Sequence, residues 1–322
     1  MRLFGASMVR NEADVVEAFV RHNLTVLDGL SIVDNGSLDG TSEILAKLQS
    51  EGLPLRVSSD PEPAYRQAET MTRLAREALA RDGADFVFAL DADEFLKLQA
   101  RPELERALSE VPAGKHAVMD WLTYVPDDFE SDPGSFGPGC LWWRLKTERH
   151  GLFKVIVGRS LLEHPDDAVA MGNHCVHNPS EAGVRPHAHL RRDAVALAHC
   201  PVRSRTQLEA KIIVGYLAHL ATAPQEQRRA RHWRELYAEL RAGGTLSQER
   251  LREIACNYGL PTKMWQPAAA IELFEDPVAL SCEQRYRIDA APGALSLLMR
   301  FTEALIAAQP GPASPAPRYY TL

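Results

Sequence analysis

The sequence predicts an α/β fold with a mostly parallel sheet flanked by helices, followed by a helical C-terminal region. Three observations support this. The chain has 322 residues, 45% of them hydrophobic and 25% charged, the balance of a soluble globular protein with room for one large domain and an appendage. Over the first hundred residues, short apolar runs alternate with amphipathic runs of helical spacing. From residue 203 onward helical patterns predominate.

The alternation in the first part predicts parallel strands joined by right-handed crossovers, with helices on both faces of the sheet. The run at residues 85–90 is apolar after its first residue, as expected for a strand in the middle of such a sheet. The predicted strands are residues 3–9, 29–33, 53–58, 85–90, 116–125 and 152–159. The predicted helices are residues 13–27, 42–50, 67–81, 206–221, 225–242 and 247–258.

We predict three units along the chain. Residues 1–202 form the α/β domain, and residues 203–308 form the helical region. Residues 309–322 form a tail that is rich in Pro, Ala and Ser and is expected to be disordered. The helical region is basic between Arg203 and Arg241, with eight Lys or Arg against four Glu. This pattern fits a solvated helix pair, and it also fits a surface for anionic lipid, a lipid-diphosphate acceptor or a second copy of the chain.

Charge and cysteine usage narrow the class of protein. The net charge of −7 argues against a nucleic-acid partner. Residues 1–8 are too short and too soon charged for a signal peptide, and no run of about 18 apolar residues predicts a membrane span. Five widely spaced cysteines favour reduced thiols. We therefore expect a cytoplasmic protein that could lie peripherally at the inner face of the membrane.

Three polar clusters follow predicted strands at their carboxyl ends. They are Arg10-Asn11-Glu12, the turn-rich loop at residues 34–41, and Asp91-Ala92-Asp93-Glu94. The carboxyl ends of parallel strands share one rim of the sheet, and ligands bind beyond that rim. The sequence therefore predicts that these clusters lie together in one site.

The third cluster has the chemistry of a metal site. On an extended segment Asp91 and Asp93 point the same way, with the small Ala92 opposite. Two hard oxygen ligands suit Mg²⁺ or Mn²⁺, which could neutralise charge on a leaving diphosphate. An acidic turn that caps the strand is the alternative interpretation, because Asp-x-Asp alone is common.

Four motifs in order resemble the family 2-like glycosyltransferases of GT-A fold. Residues 88–95 resemble the DADEF signature, Val9-Arg10-Asn11-Glu12 resembles the opening (K/R)NE, and residues 33–41 resemble the DNGSxDGT loop. Residues 199–204, with Gln207 and Lys211, resemble a later H-x-P-x-R-S…K segment. The resemblance extends from residue 1 to about residue 215 and is closer in the first half.

The resemblance implies a set of roles. Asp34, with Asn35 beside it, is expected to contact the base or ribose of a nucleotide, and Arg10, Asn11 and Glu12 to line the same pocket. Asp93 is expected to bind the metal, and Asp91 to reach the metal, its water or the ribose. Relatives often add a histidine from the second half; His174 is the first candidate here and His199 the second.

Four basic residues, one aspartate and a group of histidines are further candidates for the site. Arg66, Lys154, Arg203 and Lys211 are candidates for binding phosphate, each set against a surface or docking role. Asp128 is the candidate base that takes the proton of an acceptor hydroxyl. The histidines of residues 174–199 with Cys175 and Cys200 could form a zinc site, but their spacing matches no standard pattern.

The predicted function is a metal-dependent glycosyltransferase, of the hexosyl or a related class and inverting rather than retaining. It moves sugar from a UDP- or GDP-type nucleotide-diphosphate sugar to a hydroxyl of a glycan, lipid-linked or small-molecule acceptor. The expected setting is synthesis of surface glycan: lipopolysaccharide, capsule or exopolysaccharide. The alternatives are a nucleotidyltransferase and a non-catalytic nucleotide- or carbohydrate-binding module. A homodimer is a further alternative, with the basic helical region as the contact between the two copies.

Overall fold

A nine-stranded sheet lies at the centre of the residues that the structure describes. The computed structural model describes residues 1–130, 136–220, 231–280, 284–286 and 292–308. In chain order the strands are β1 Leu3–Val9, β2 Gly29–Asp34, β3 Leu55–Ser59, β4 Phe86–Ala89, β5 Glu94–Lys97, β6 His116–Thr123, β7 Trp143–Leu145, β8 Phe153–Gly158, β9 Ala168–Val169, β10 Val176–His177, β11 His187–His189, β12 Ala196–His199 and β13 Leu273–Glu275.

The order in the main sheet is β3-β2-β1-β4-β8-β6-β12-β5, and β11 also pairs with β6. Pairs β1–β2, β2–β3, β1–β4, β6–β11 and β6–β12 are parallel. Pairs β4–β8, β6–β8 and β5–β12 are antiparallel. The predicted α/β class with a mostly parallel sheet is confirmed. The antiparallel β8 lies between β4 and β6, so a strand from the second part of the chain lies in the centre of the sheet.

Helices cover both faces of this sheet, as predicted. They are α1 Val16–Asn23, α2 Thr41–Ser50, α3 Gln67–Ala80, α4 Arg101–Ser109, α5 Arg205–Leu220, α6 Arg231–Gly243, α7 Gln248–Cys256 and α8 Ala294–Ala308. Apolar residues of α1, α2 and α4, such as Phe19, Leu45 and Leu104, share one buried cluster with the sheet. Residues of α3, including Met71 and Leu74, form a second cluster with the other face. Burial of these stripes is the main source of fold stability.

The helical region has apolar clusters of its own. Leu208 and Ile212 of α5 pack with residues of α6 and α7, and Val214 of α5 packs with Leu297 and Phe301 of α8. The antiparallel pair β7–β13 links this region to the first part of the chain. The division at residues 202 and 203 stays a prediction, and the predicted tail at 309–322 lies outside the described residues. Within the described ranges, no helix is long and apolar enough to span a bilayer.

The buried His116 predicts a loss of stability in mild acid. Its side chain is 2% exposed, and its Nδ1 accepts the Gly158 N–H at 3.1 Å, while burial lowers its pKa to about 4. Between an ordinary pKa of about 6.5 and that value, the unfolded chain takes up a proton that the folded chain refuses. The free energy of unfolding therefore falls as the pH falls, by about 2 kcal/mol from this residue at pH ~5.

The measurement is urea unfolding at neutral and mildly acidic pH. His116→Asn keeps an acceptor near the Nδ1 position without the titrating ring, so it should lose about 2 kcal/mol less than the wild type on acidification. The half-exposed His177 offers a matched control, because His177→Asn should lose as much as the wild type. Equal acid losses in all three proteins would contradict the prediction.

Candidate active site

A cavity of about 710 Å³ opens beyond the carboxyl ends of β1 and β4. One wall is polar and comes largely from the loops after these strands, from β8 and from the first turns of α5. Val214, Leu260, Pro261 and Leu297 of the helical region also line the cavity, and we call them the apolar wall. The clusters after β1, β2 and β4 therefore meet at one cavity, and residues of the helical region contribute to its lining. The polar wall includes Arg10, Asn11, Glu12, Asp14, Tyr65, Gln67, Asp91, Asp93, Trp121, Lys154, His174, His199, Gln207, Lys211 and Tyr258.

Asp91 and Asp93 both line this cavity, and each is already hydrogen-bonded to other side chains. Asp91 accepts from Gln67 at 2.9 Å, from Asn173 at 3.0 Å and from Lys154 Nζ at 2.6 Å. Asp93 is 1% exposed and accepts from Lys211 Nζ at 2.7 Å. Burial acts to raise the pKa of Asp93, but Lys211, His199 and Arg203 outweigh it and hold the pKa well below its usual value. Asp93 therefore stays ionised in the buried wall.

Lys154 is part of the polar wall and not a surface lysine. It is 2% exposed and also contacts Glu94 Oε1 at 2.7 Å. Burial acts to lower its pKa, yet the charges of Asp91 and Glu94 outweigh burial and raise the pKa above the ordinary value. In the sequence, only its position within a predicted strand indicated that Lys154 is buried. That strand, β8, lies in the centre of the sheet. A lysine in a central strand has no path to solvent except through a cavity.

Arg203 lies behind the wall and holds three loops together. Its guanidinium, 2% exposed, donates to Asp14 at 2.6 and 2.9 Å and to Glu12, and Nη1 lies 3.6 Å from Asp93 Oδ2. Burial raises the pKa of Glu12 to about 7 against the opposing effect of Arg203 and Lys211. Arg203 does not line the cavity and lies in an ion-pair network, and its predicted phosphate contact stays a prediction.

The predicted metal ligands lie on the cavity wall, but their donor atoms do not converge. In the described part of the chain, no three His, Cys, Asp or Glu side chains are placed to hold one ion. His174 Nδ1 is 2.8 Å from the Phe153 carbonyl, and His199 Nε2 is 3.4 Å from Asp93 Oδ1. Lysine ammonium groups contact both aspartates. These residues therefore do not fit a divalent cation as they stand, which corrects the predicted ligand set of Asp91, Asp93, His174 and His199.

The loop after β2 is held by the residues that were predicted to bind nucleotide. Asp34 accepts from the Ser37 N–H at 3.0 Å and from the Ser42 hydroxyl, and Asn35 donates to the carbonyls of Asp60 and Glu62 at 3.0 and 2.9 Å. Asp34 and Asn35 are buried, 3% and 1% exposed, and neither lines the cavity. In this structure the two residues stabilise the loop, and their nucleotide contacts stay predictions.

Arg10 and Asn11 line the cavity and also shape this loop. Arg10 Nε donates to the Asn35 carbonyl at 2.6 Å, and its Nη2 reaches the carbonyls of Glu62 and Pro63, each at 3.1 Å. Burial lowers the pKa of Arg10 to about 10. Asn11 has a positive φ of 56°, and its Oδ1 accepts the Leu38 N–H at 2.7 Å. Both are in place for the predicted pocket, with much of their polar capacity used by backbone groups.

Arg66 and Asp128 lie away from the cavity. The Arg66 side chain is 55% exposed and 3.7 Å from Glu62, while its neighbour Gln67 lines the wall instead. Asp128 is exposed, and its Oδ1 accepts from the Glu130 N–H at 3.0 Å and from Gln248 at 3.3 Å. The predicted roles of Arg66 in phosphate binding and of Asp128 as the acceptor base therefore gain no support from the cavity and stay predictions.

Trp121 was missed by the sequence analysis and lies at the centre of an aromatic group. Its ring is 4.5 Å from those of His150 and His199, 5.9 Å from that of His174 and 6.3 Å from that of Tyr258. The His174 ring is nearly parallel to it, at 12°. Aromatic residues inside an apolar strand usually indicate core packing, so the sequence held no signal for this ring group.

The His174 ring packs closely against Gly172. A substitution at Gly172 therefore tests the position of that ring. Gly172 has φ +81°, and a Cβ there would lie 2.7 Å from His174 Nε2. Gly172→Ala should cost about 1 kcal/mol for the left-handed backbone and more for the displaced ring. Gly183 has φ +99° with nothing within 4 Å of its Cβ position, so Gly183→Ala measures the backbone cost alone. Equal losses of unfolding free energy in the two variants would contradict a ring held against Gly172.

Comparison with known proteins returns structures only. No family model matches the sequence, and no curated protein matches it. A mannosyltransferase from Pyrobaculum calidifontis, in complex with GDP-Man and Mn²⁺, is 17% identical with a TM-score of 0.40, covering 76% of each chain. TarS 1–349 of S. aureus is 13% identical with a TM-score of 0.36, covering 82% of this chain and 76% of that one.

A third structure is glucosyl-3-phosphoglycerate synthase from Mycobacterium tuberculosis with Mn²⁺, UDP and glucosyl-3-phosphoglycerate. It is 19% identical with a TM-score of 0.25, covering 37% of this chain and 43% of that one. At such identities and TM-scores these likenesses carry no functional weight. The cavity is therefore the basis for the proposed function.

Proposed function

We propose that the chain is a glycosyltransferase that moves a sugar from a nucleotide-diphosphate sugar to a hydroxyl acceptor. The observation that carries the proposal is the composition of the 710 Å³ cavity. Carboxylates, ammonium groups and the Trp121 side chain line this cavity together with aliphatic side chains. A nucleotide sugar offers the matching groups: a diphosphate, hydroxyls and a flat base. A cavity of this size is in the range of ligand sites.

The polar wall has unused hydrogen-bonding capacity for such a donor. Among the described residues that line it, the Gln207 Nε2, the Trp121 Nε1 and the His199 Nδ1 are buried and have no hydrogen-bond partner. Leaving buried polar atoms unpaired costs roughly 1–3 kcal/mol each. The hydroxyls of a polyhydroxylated ligand are suitable partners for these atoms. The four motifs that resemble family 2-like transferases independently support a glycosyltransferase function.

The apolar wall supports an acceptor with an apolar portion. Val214 of α5, Leu297 of α8 and Leu260 face the same space as the polar residues. A lipid-linked acceptor in surface glycan synthesis fits this division, and we keep it as the proposed setting. Peripheral contact with a membrane and a homodimer also stay proposals.

A second candidate function, a non-catalytic nucleotide- or carbohydrate-binding module, is favoured by one observation. Each carboxylate that lines the cavity already accepts a hydrogen bond or an ion pair. An inverting transferase needs a carboxylate or another base to take the acceptor proton. A binding module needs none.

The test begins with melting temperatures in the presence of UDP, GDP, CDP, ADP and their sugar conjugates. The proposal expects one nucleotide to raise the melting temperature and its sugar conjugate to be consumed, by hydrolysis or by transfer to an added acceptor. Binding without any turnover would support the module instead. No shift with any nucleotide would overturn both.

A further inference from the structure

Two ammonium groups lie on the carboxylates to which the family resemblance assigns a metal. Lys154 Nζ is 2.6 Å from Asp91 Oδ2 and 2.7 Å from Glu94 Oε1. Lys211 Nζ is 2.7 Å from Asp93 Oδ2. The lysines come from β8 and α5, so the chain itself brings a positive partner to each aspartate from a different direction. We call Lys154 and Lys211 the lysine pair.

The two members of the lysine pair differ in freedom. Lys154 is 2% exposed, is held by two carboxylates, and its Nζ is 5.8 Å from the centre of the Trp121 ring. Its stem is enclosed, so it has no alternative position in solvent. Lys211 is 25% exposed, with one close carboxylate and Glu12 Oε1 at 3.9 Å. Lys211 therefore lies at the cavity surface, while Lys154 is fixed in the wall.

A divalent cation at either aspartate competes with these ammonium groups. Mg²⁺ binds carboxylate oxygen at about 2.1 Å, so an ion on Asp93 Oδ2 would lie within about 5 Å of the Lys211 ammonium. Like charges at that separation repel strongly in a buried site. Arg203 Nη1, 3.6 Å from the same Asp93 oxygen, adds a third positive charge. The side chains of Lys154, Lys211 and Arg203 thus supply positive charge at the carboxylates where a metal ion would otherwise supply it.

We propose that the lysine pair binds the donor diphosphate in place of a divalent cation, so that donor binding needs no metal. The inference rests on the proposed function and specifies its chemistry. An ammonium has three donors, and Lys154 uses two and Lys211 one on carboxylates, which leaves donors for phosphate oxygens. Lysine binds phosphate as a point charge. Because the carboxylates fix both ammonium groups in advance, they can stabilise a leaving diphosphate without rearrangement.

The first experiment measures binding of UDP and GDP to the full chain by calorimetry, in metal-free buffer with EDTA and then with Mn²⁺. The expected result is binding in EDTA, with an affinity that Mn²⁺ changes by less than about threefold, a difference of well under 1.4 kcal/mol. Titration of Mn²⁺ alone, followed by electron paramagnetic resonance, should show no stoichiometric bound ion in the wild type. This measurement needs no variant and so does not depend on any variant folding.

Lys211→Met gives the matched test, because Lys211 is the more exposed member of the lysine pair. It should weaken binding in EDTA by about tenfold or more, the value of a charged hydrogen bond, while Lys211→Arg retains most of the affinity. Mn²⁺ should partly restore binding to Lys211→Met, since Asp93 then has a free oxygen. Lys146→Met, at an exposed lysine paired with Glu272, is the control and should bind like the wild type.

The outcomes separate this inference from the proposed function. Wild-type binding that requires Mn²⁺ overturns the inference and leaves the proposed function standing with a metal. Full affinity of Lys211→Met in EDTA also overturns it. Failure of both nucleotides in both buffers overturns the proposed UDP- or GDP-type donor, and with it the inference.

Discussion

Replacement of Arg203 by methionine is expected to lower the free energy of unfolding by about 3–5 kcal/mol. The guanidinium is 2% exposed and is shared between Glu12 and Asp14, with Asp93 3.6 Å from Nη1. Methionine of similar length leaves these carboxylates in a buried site without their main cation. Desolvated charges without partners are among the costliest defects that a single substitution can produce.

Arg205 provides the matched control two residues along the chain. It pairs with Glu130, whose side chain is 52% exposed, and donates to the Thr245 hydroxyl at 3.1 Å and to the Leu246 carbonyl, so Arg205→Met should cost about 1 kcal/mol. Arg203→Lys keeps a charge but loses the planar fork, and should fall between the two. Urea unfolding of the three variants measures these differences. A loss below about 1 kcal/mol for Arg203→Met would contradict a network that depends on this residue.

The centre of the sheet could be predicted from the sequence because strands such as β1, β2 and β4 are buried on both faces. Runs such as residues 86–90 are apolar throughout, and the helices between them carry a clear apolar stripe. The insertion of β8 between β4 and β6 could not be predicted. Strand order depends on contacts between segments far apart in the chain, and periodicity reports only on each segment by itself.

The site divides in the same way. Asp91 and Asp93 could be placed on the rim because they follow a strand directly, as do Arg10, Asn11 and Glu12. Lys154 and Arg203 were predicted as candidates for binding phosphate, but their carboxylate partners could not be predicted, because these partners come from distant parts of the chain. Asp34 shows the reverse limit: its motif indicates a nucleotide contact, but it does not reveal that the carboxylate also accepts from the Ser37 N–H and the Ser42 hydroxyl. A sequence motif does not reveal which hydrogen bonds its residues make within the loop.

Trp121→Ala is expected to affect both stability and donor binding. The ring is 5% exposed and is surrounded by three histidines and Tyr258, so truncation removes the centre of a packed aromatic group. Loss of a buried Trp costs about 3–5 kcal/mol. The side chain also lines the cavity, so nucleotide binding should weaken by about tenfold or more as this contact and the positions of the surrounding rings are lost. Urea unfolding and calorimetric titration measure the two effects.

Two further variants separate packing from binding. Trp121→Phe retains a ring but lacks the indole N–H, so it should keep most of the binding energy at a smaller loss of stability. Trp142 is 40% exposed, and Trp142→Ala should change neither quantity by more than about 0.5 kcal/mol. If Trp121→Ala lost stability but bound nucleotide as tightly as the wild type, the ring would be a packing element alone. Weakened binding in Trp121→Ala, with Trp121→Phe near wild type, would instead assign the aromatic face to the ligand.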